Sequence, residues 1–297
     1  MIGKIDPVFL SAADLSGREK MLEYIRHRHG ALNELLVARS ILSRPIYCYR
    51  IGEGESCVLI VAAHHALESI TTNLAFMLID YILGNSENGN IKGVDCKLLL
   101  SKFRFMILPC LNPDGVELRF HGASESPLYE RQMRMSDGDF SRWQANARGV
   151  DLNHNYEFGF AEYKAIEREK HILPGATLYS GEYPESEPET RGLANLVRTL
   201  MPRAVVCLHT QGEEIFYRPR VQRSARIAER LASLTGYSVS IPEGTAAYGG
   251  LADYSGSLGI PSFTIEVGKG VNPLSEEDAP RIHQRIADPL FMLPTLL

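Results

Sequence analysis

His65 and Glu68 stand three residues apart just after the apolar run CVLIVAA, residues 57–63. Imidazole nitrogen and carboxylate oxygen are donors that zinc takes at about 2.0–2.2 Å. A turn after a strand lets both converge while the strand holds them rigidly. The spacing alone is unspecific, because His154 and Glu157 repeat it. Only the first pair leaves a buried strand end, where α/β sites form. His64 is the neighbouring rival, but adjacent strand residues point to opposite faces, and the spacing to Glu68 favours His65. His209 closes a second apolar run, AVVCLH. Two histidines and a carboxylate leave a fourth position for water, the pattern of a catalytic zinc site; structural zinc would recruit cysteines instead. Glu266 lies inside a third apolar run, SFTIEV. A carboxylate there is costly to bury unless it is paired or put to use, so it is the candidate general base, with an ion pair to Lys269 as the bland alternative.

Groups so far apart in the chain must be gathered by rigid elements that end at one place. From residue 13 to about 40, apolar residues recur at helical spacing (Leu15, Met21, Leu22, Ile25, Leu32, Leu35, Leu36) with a break at Gly30, which predicts two consecutive helices. Short β-rich runs follow at 46–51, 57–63, 103–108, 204–208, 238–241 and 262–267, several of them apolar throughout, as strands covered on both faces are. Helical patterns at 69–83, 187–200, 221–235, 250–258 and 276–293 separate them. This alternation predicts one α/β domain over residues 1–297: three layers, α/β/α, around a mixed, largely parallel sheet, with residues 1–40 as a helical segment packed on it. The polar stretch 112–185, punctuated by glycine and proline, is far longer than an ordinary connection and reads as a functional loop.

Composition narrows the field of partners. With 44% hydrophobic and 23% charged residues the chain can bury a sizeable core. A net charge of −5 without basic runs argues against nucleic acid. No window supplies the roughly 18 apolar residues of a membrane span, and the first residues do not read as a secretory leader. Cys48, Cys57, Cys96, Cys110 and Cys207 are odd in number and mostly inside apolar runs, which fits buried thiols in a reducing compartment, so the cytoplasm is expected. Nothing in the pattern fixes an oligomeric state.

Together with Asn112-Pro-Asp-Gly115, Gly149-Val-Asp-Leu-Asn153 and Phe263-Thr-Ile-Glu266, the ordered set His65-x-x-Glu68 and His209 resembles the metallocarboxypeptidase family over roughly residues 46–267. Within it, the stretches 65–72, 209–214 and 266–273 look most like bacterial γ-D-glutamyl-meso-diaminopimelate peptidases. The resemblance implies a central eight-stranded mixed sheet, one zinc ion on His65, Glu68 and His209, Glu266 as general base, and a small muropeptide-like substrate. It also assigns Asn153 to the substrate carboxylate and Tyr248 to a mobile cap over the substrate.

Two positions depart from the family pattern. His154 stands where carboxypeptidases that trim free C-termini carry a clamping Arg. The Arg that polarises the scissile carbonyl falls near Gln144, with Arg148 or Arg142 as stand-ins. Glu213, Glu214, His154 and Lys269 are the candidate contacts for the amine and carboxylate of a diaminopimelate side chain. Two other readings stay open: an N-acyl amino acid deacylase on the same fold, and a catalytically silent peptide-binding homologue.

Overall fold

The computed structural model describes residues 5–87 and 89–297. In chain order it begins with α1 (Leu15–His29), β1 (Asn33–Arg39), β2 (Pro45–Ile51), β3 (Ser56–Val61) and α2 (Ile70–Asn85). A small hairpin, β4 (Asn90–Ile91) and β5 (Val94–Asp95), leads into α3 (Cys96–Lys102) and β6 (Phe103–Leu108). Then come α4 (Pro113–His121), α5 (Tyr129–Ser136), α6 (Phe160–Glu169) and α7 (Pro188–Leu200). The last part holds β7 (Ala204–His209), β8 (Glu214–Tyr217), α8 (Ser224–Thr235), β9 (Ser238–Ser240), α9 (Leu251–Ser257), β10 (Ser262–Glu266) and α10 (Ala279–Met292).

Eight strands form one mixed sheet in the order β1-β2-β6-β3-β7-β10-β8-β9. The four central strands β6, β3, β7 and β10 are mutually parallel, and β7 is buried at every position. That is why their sequences read as apolar runs rather than alternating ones. On one face Met21 and Ile25 of α1, Leu74 and Ile79 of α2, and residues of α8 and α10 pack on Val58, Ile60 and Val206. On the other, Leu193 and Val197 of α7 and Leu251 and Tyr254 of α9 cover Leu59, Val61 and Val205. The eight strands and two helical layers are those expected. Among the described residues no helix is long and apolar enough to cross a membrane.

Two expectations need correction. The helical period continued past Gly30, but Asn33–Arg39 is a strand, β1, paired antiparallel with β2 from Asn33↔Arg50 to Arg39↔Pro45. Local spacing lost to tertiary pairing: α7 lies so close over this strand that a Cβ on Gly192 would come within 2.6 Å of the Ala38 Cβ. Among the described residues of the 1–40 segment, α1 is the one α-helix. The stretch 112–185 is also less irregular than its composition suggested, since it carries α4, α5 and α6. Asn112 caps α4, its Oδ1 accepting from Gly115 N at 3.0 Å. Gly115 has no room for a side chain, because a Cβ would lie 2.3 Å from the Ala145 carbonyl oxygen.

The parallel register sets up the functional end of the sheet. Val61 stands beside Cys207, and Glu266 stands beside His209. The turns and residues leaving β3, β7 and β10 therefore open at the same carboxyl edge, where α/β folds place their ligands.

Candidate active site

His65 opens a single 3-10 turn, Ala66–Glu68, that carries the chain from β3 into α2. Thr71 ties this turn down: its hydroxyl donates to the Glu68 carbonyl at 2.8 Å and accepts from Ala63 N at 3.0 Å. The turn aims Glu68 between two imidazoles. Its Oε1 lies 2.9 Å from His65 Nδ1 and its Oε2 lies 2.9 Å from His209 Nδ1, with Thr210 N donating to Oε2 at 3.2 Å. Donor atoms of the three residues all lie within 4.8 Å of one another. His64 is engaged separately, with Nε2 3.0 Å from the Tyr156 hydroxyl; both histidines lie beyond the end of β3, so the turn rather than strand alternation sets their directions.

The donor set fits a zinc ion. Asp151 Oδ1 sits 3.1 Å from His65 Nε2. A proton held on Nε2 by that carboxylate leaves the Nδ1 lone pair pointing at the cluster, the arrangement by which a carboxylate orients a metal-binding histidine. The charges agree with a site built for a cation. Burial opposes ionisation of all three groups, yet Glu68 and Asp151 hold His65 well above its ordinary range. His65 and His209 in turn draw Glu68 down to about 2. Asp151 is likewise kept far below the usual carboxylate range, against its burial, chiefly by His65 and His154.

Glu266 is different in kind. Burial first, and then the Glu68 carboxylate, push it up to about 8. The other charges acting on it are His65 and Glu214, whereas Lys269 is exposed and exerts no such pull. Among the described residues no ion pair makes Glu266 a structural residue, and a buried carboxyl beside the cluster is placed for proton transfer.

Gln144 borders the same turn. Its carbonyl accepts from Ala66 N at 3.0 Å and from Asn112 Nδ2 at 3.1 Å. Trp143 and Ala145 on either side are fully buried, while Gln144 is partly open. Asn153 is placed by Asp151, whose Oδ1 accepts from Asn153 N at 3.1 Å, and Asn153 Oδ1 faces Leu251 N at 3.4 Å. Tyr248 is exposed at 40% and follows a short 3-10 turn, Gly244–Ala247.

Four candidates, Arg148, Glu213, His154 and Arg142, are engaged elsewhere. Arg148 forms a two-pronged pair with Glu187, at 2.9 Å from Nε and 2.8 Å from Nη2, and also donates to the Ser186 carbonyl. It braces the loop and has no free donor fork to offer a carbonyl. Glu213 is bound by Arg285, so its carboxylate is neutralised away from the cluster. Glu214 is the residue that stands opposite Glu266 across the strands. His154 is buried, stacked on Tyr163 with ring centroids 3.8 Å apart, and its Nδ1 lies 3.0 Å from the Tyr248 carbonyl. Burial lowers its pKa, so it supports the Tyr248 loop as a neutral ring rather than clamping a carboxylate. Arg142 is exposed and donates to the Asn272 carbonyl at 3.2 Å.

Sequence reasoning gave no role to Asp151 or Thr177. Asp151 lies inside the Gly149–Asn153 motif, and a buried carboxylate in a loop near a metal-binding histidine is the signal that marks an orienting group. Thr177 carries no such signal.

The chain belongs to the zinc carboxypeptidase family, whose pattern it matches over residues 19–282. It is 29% identical over 256 residues to gamma-D-glutamyl-L-diamino acid endopeptidase 1 of Lysinibacillus sphaericus, covering 84% of this chain and 63% of that protein. It is 30% identical over 252 residues to the uncharacterised protein YqgT of Bacillus subtilis (strain 168), covering 80% of this chain and 65% of that one. The chain thus spans just under two thirds of the length of these relatives. Among solved structures, thrombin activatable fibrinolysis inhibitor superposes with a TM-score of 0.77 at 17% identity, covering 98% of this chain and 75% of that one. The murein-tripeptide amidase MpaA from Escherichia coli O157 gives 0.58 at 21% identity, covering 90% and 95%. These likenesses show a carboxypeptidase fold, and the family is one of zinc-dependent hydrolases.

Proposed function

We propose that this chain is a zinc-dependent peptidase that hydrolyses an amide bond in small cell-wall-derived peptides, with the γ-D-glutamyl-meso-diaminopimelate bond as its target. The observation that carries the hydrolytic reading is the pairing of a His65–Glu68–His209 cluster with Glu266, a carboxyl at about 8 that has no cation partner acting on it beyond His65. His65 and His209 through Nδ1, with the Glu68 carboxylate, would hold the ion. When bound, zinc lowers the pKa of a coordinated water to about 7 and polarises the scissile carbonyl.

Glu266 takes the proton from the attacking water and returns it to the leaving amine, a role open to it as a carboxylate once the charge of a bound ion offsets the burial that favours its protonated form. Gln144 donates its amide N–H to the carbonyl oxygen as charge develops there. Asn153 binds the substrate carboxylate, and Tyr248 closes over the bound peptide. Glu214, rather than Glu213, takes the amine of the diamino acid, since it shares the face of Glu266. Lys269, exposed at the end of β10, is the contact for a second carboxylate.

The substrate class rests on the relatives, an endopeptidase named for γ-D-glutamyl-L-diamino acid bonds and a murein-tripeptide amidase. His154 in place of a clamping Arg supports the same choice over general C-terminal trimming. The five buried free cysteines support a reducing compartment, the cytoplasm, as its location. The deciding assay gives zinc-loaded protein L-Ala-γ-D-Glu-meso-diaminopimelate and, separately, an acyl amino acid and an ordinary C-terminal peptide. Release of diaminopimelate, abolished by a chelator, is the expected result. Protein with stoichiometric zinc that cleaves none of them, or only the acyl amino acid, refutes the proposal.

A further inference from the structure

The segment Ala176–Tyr179 touches both halves of the site. The Ala176 carbonyl accepts from Gln144 N and Ala145 N, each at 2.9 Å. The Thr177 hydroxyl donates to Gln144 Oε1 at 2.6 Å. Leu178 N donates to Asp151 Oδ2 at 3.1 Å, and the Tyr179 carbonyl accepts from Asp151 N at 2.7 Å. Asp151 in turn orients His65. One short strap therefore holds both the Gln144 side chain and the Asp151 carboxylate that backs His65.

Leu178 within this strap has φ +68°, a left-handed conformation that a branched side chain adopts only under constraint. The Tyr163 hydroxyl holds the Leu178 carbonyl at 2.7 Å, and His154 stacks on Tyr163. The strain persists because it is tied from three sides.

The consequence concerns which end of Gln144 faces the substrate. A primary amide has an accepting end and a donating end, and only the NH2 end stabilises negative charge on a carbonyl oxygen. An Arg or Lys in that place needs no such choice, because every terminal atom donates. With Oε1 held by the Thr177 hydroxyl, Nε2 is the end left to donate.

We propose that Thr177 is a positioning residue that fixes the Gln144 amide with its NH2 toward the reacting carbonyl, so that the Gln144–Thr177 pair replaces the charged group of other family members. This rests on the hydrolytic reading for its purpose but is tested apart from it. The probe is a phosphinic pseudopeptide, whose P–O− group occupies the place of the developing oxyanion, titrated calorimetrically into the zinc-loaded enzyme.

Thr177→Val keeps the shape and removes the donor, and is expected to weaken binding and lower kcat by about tenfold with KM little changed. Thr177→Ser keeps the hydroxyl and should stay within about twofold of the parent. In a Gln144→Lys background, where no amide needs orienting, Thr177→Val should have no effect on either measurement. The inference is overturned if Thr177→Val binds the phosphinate as the parent does, if its loss is equal in the Gln144→Lys background, or if the parent binds no phosphinate. A parent that binds the phosphinate normally but cleaves no peptide refutes the proposed function and leaves the positioning role standing on the binding data.

Discussion

Asp151 holds His65 from behind: its Oδ1 lies 3.1 Å from His65 Nε2, on the opposite side of the ring from the Nδ1 that faces Glu68. The imidazole is fixed in direction before any ion arrives, with one carboxylate on each ring nitrogen. Asp151→Asn keeps the volume but removes the charge that retains the Nε2 proton. Zinc affinity should fall by about 10–100-fold, read by competition with a chromogenic chelator. Unchanged affinity would show that Asp151 acts only as a loop brace.

Glu266→Gln should separate metal binding from proton transfer. The variant is expected to take up one zinc with parental affinity while kcat falls by about 10²–10⁴-fold. Metal content and single-turnover rates on the same preparation check both halves, and a variant retaining most of its activity removes Glu266 from the mechanism.

Arg148 is assigned to the scaffold by its grip on Glu187, so its replacement should be felt in folding. Arg148→Met leaves Glu187, which is 2% exposed, without its cation. Unfolding free energy should drop by about 1–3 kcal/mol, discounted from a fully buried pair because Arg148 itself is 37% exposed, while kcat of the folded protein holds. A large fall in kcat at undiminished stability would return Arg148 to the catalytic set.

A buried carboxyl outside the His65–Glu68–His209 cluster gives a pH signature. Glu189, in the first turn of α7, is pushed up to about 8 by burial, with Glu187 and Asp114 adding to the effect. Its Oε1 accepts from Ile41 N at 3.2 Å and its Oε2 has no partner. Between the ordinary value of 4.5 and about 8, the folded protein keeps a proton that the unfolded chain has released. This group therefore lowers stability progressively as pH rises through that window. Glu189→Gln should be more stable than the parent by about 2 kcal/mol at pH 8.5, with the difference shrinking toward pH 5. Thermal unfolding at the two pH values decides it; a constant difference would assign the effect to packing.

The parts of this molecule that sequence reveals are those set by local pattern. Apolar runs ending in His65, His209 and Glu266 announce parallel strands and a polar edge, because burial on both faces writes itself into each residue. β1 escaped detection since Leu32, Leu35 and Leu36 continue a helical spacing, and only the pairing with β2 and the cover of α7 make Asn33–Arg39 a strand. Arg148 looked catalytic for a similar reason: its partner Glu187 lies 39 residues away, and nothing near Arg148 in sequence marks the pair. The same holds for Thr177, 33 residues from Gln144. Identity of the donor atoms was legible; their supports, made by contacts across the 112–185 stretch, were not.

The candidate metal cluster joins groups 141 positions apart, Glu68 in the turn after β3 and His209 at the end of β7. An ion held between them is a crosslink as well as a reagent, and it can be withdrawn. At a free concentration 100 times its dissociation constant it would add about 2.7 kcal/mol to the folded state, a sizeable share of the roughly 5–15 kcal/mol that keeps a domain folded. Zinc supply would then govern how long this protein survives as well as how fast it works. In a cell short of zinc, the idle enzyme would also be the one most readily unfolded and degraded, returning its amino acids while conserving none of its function.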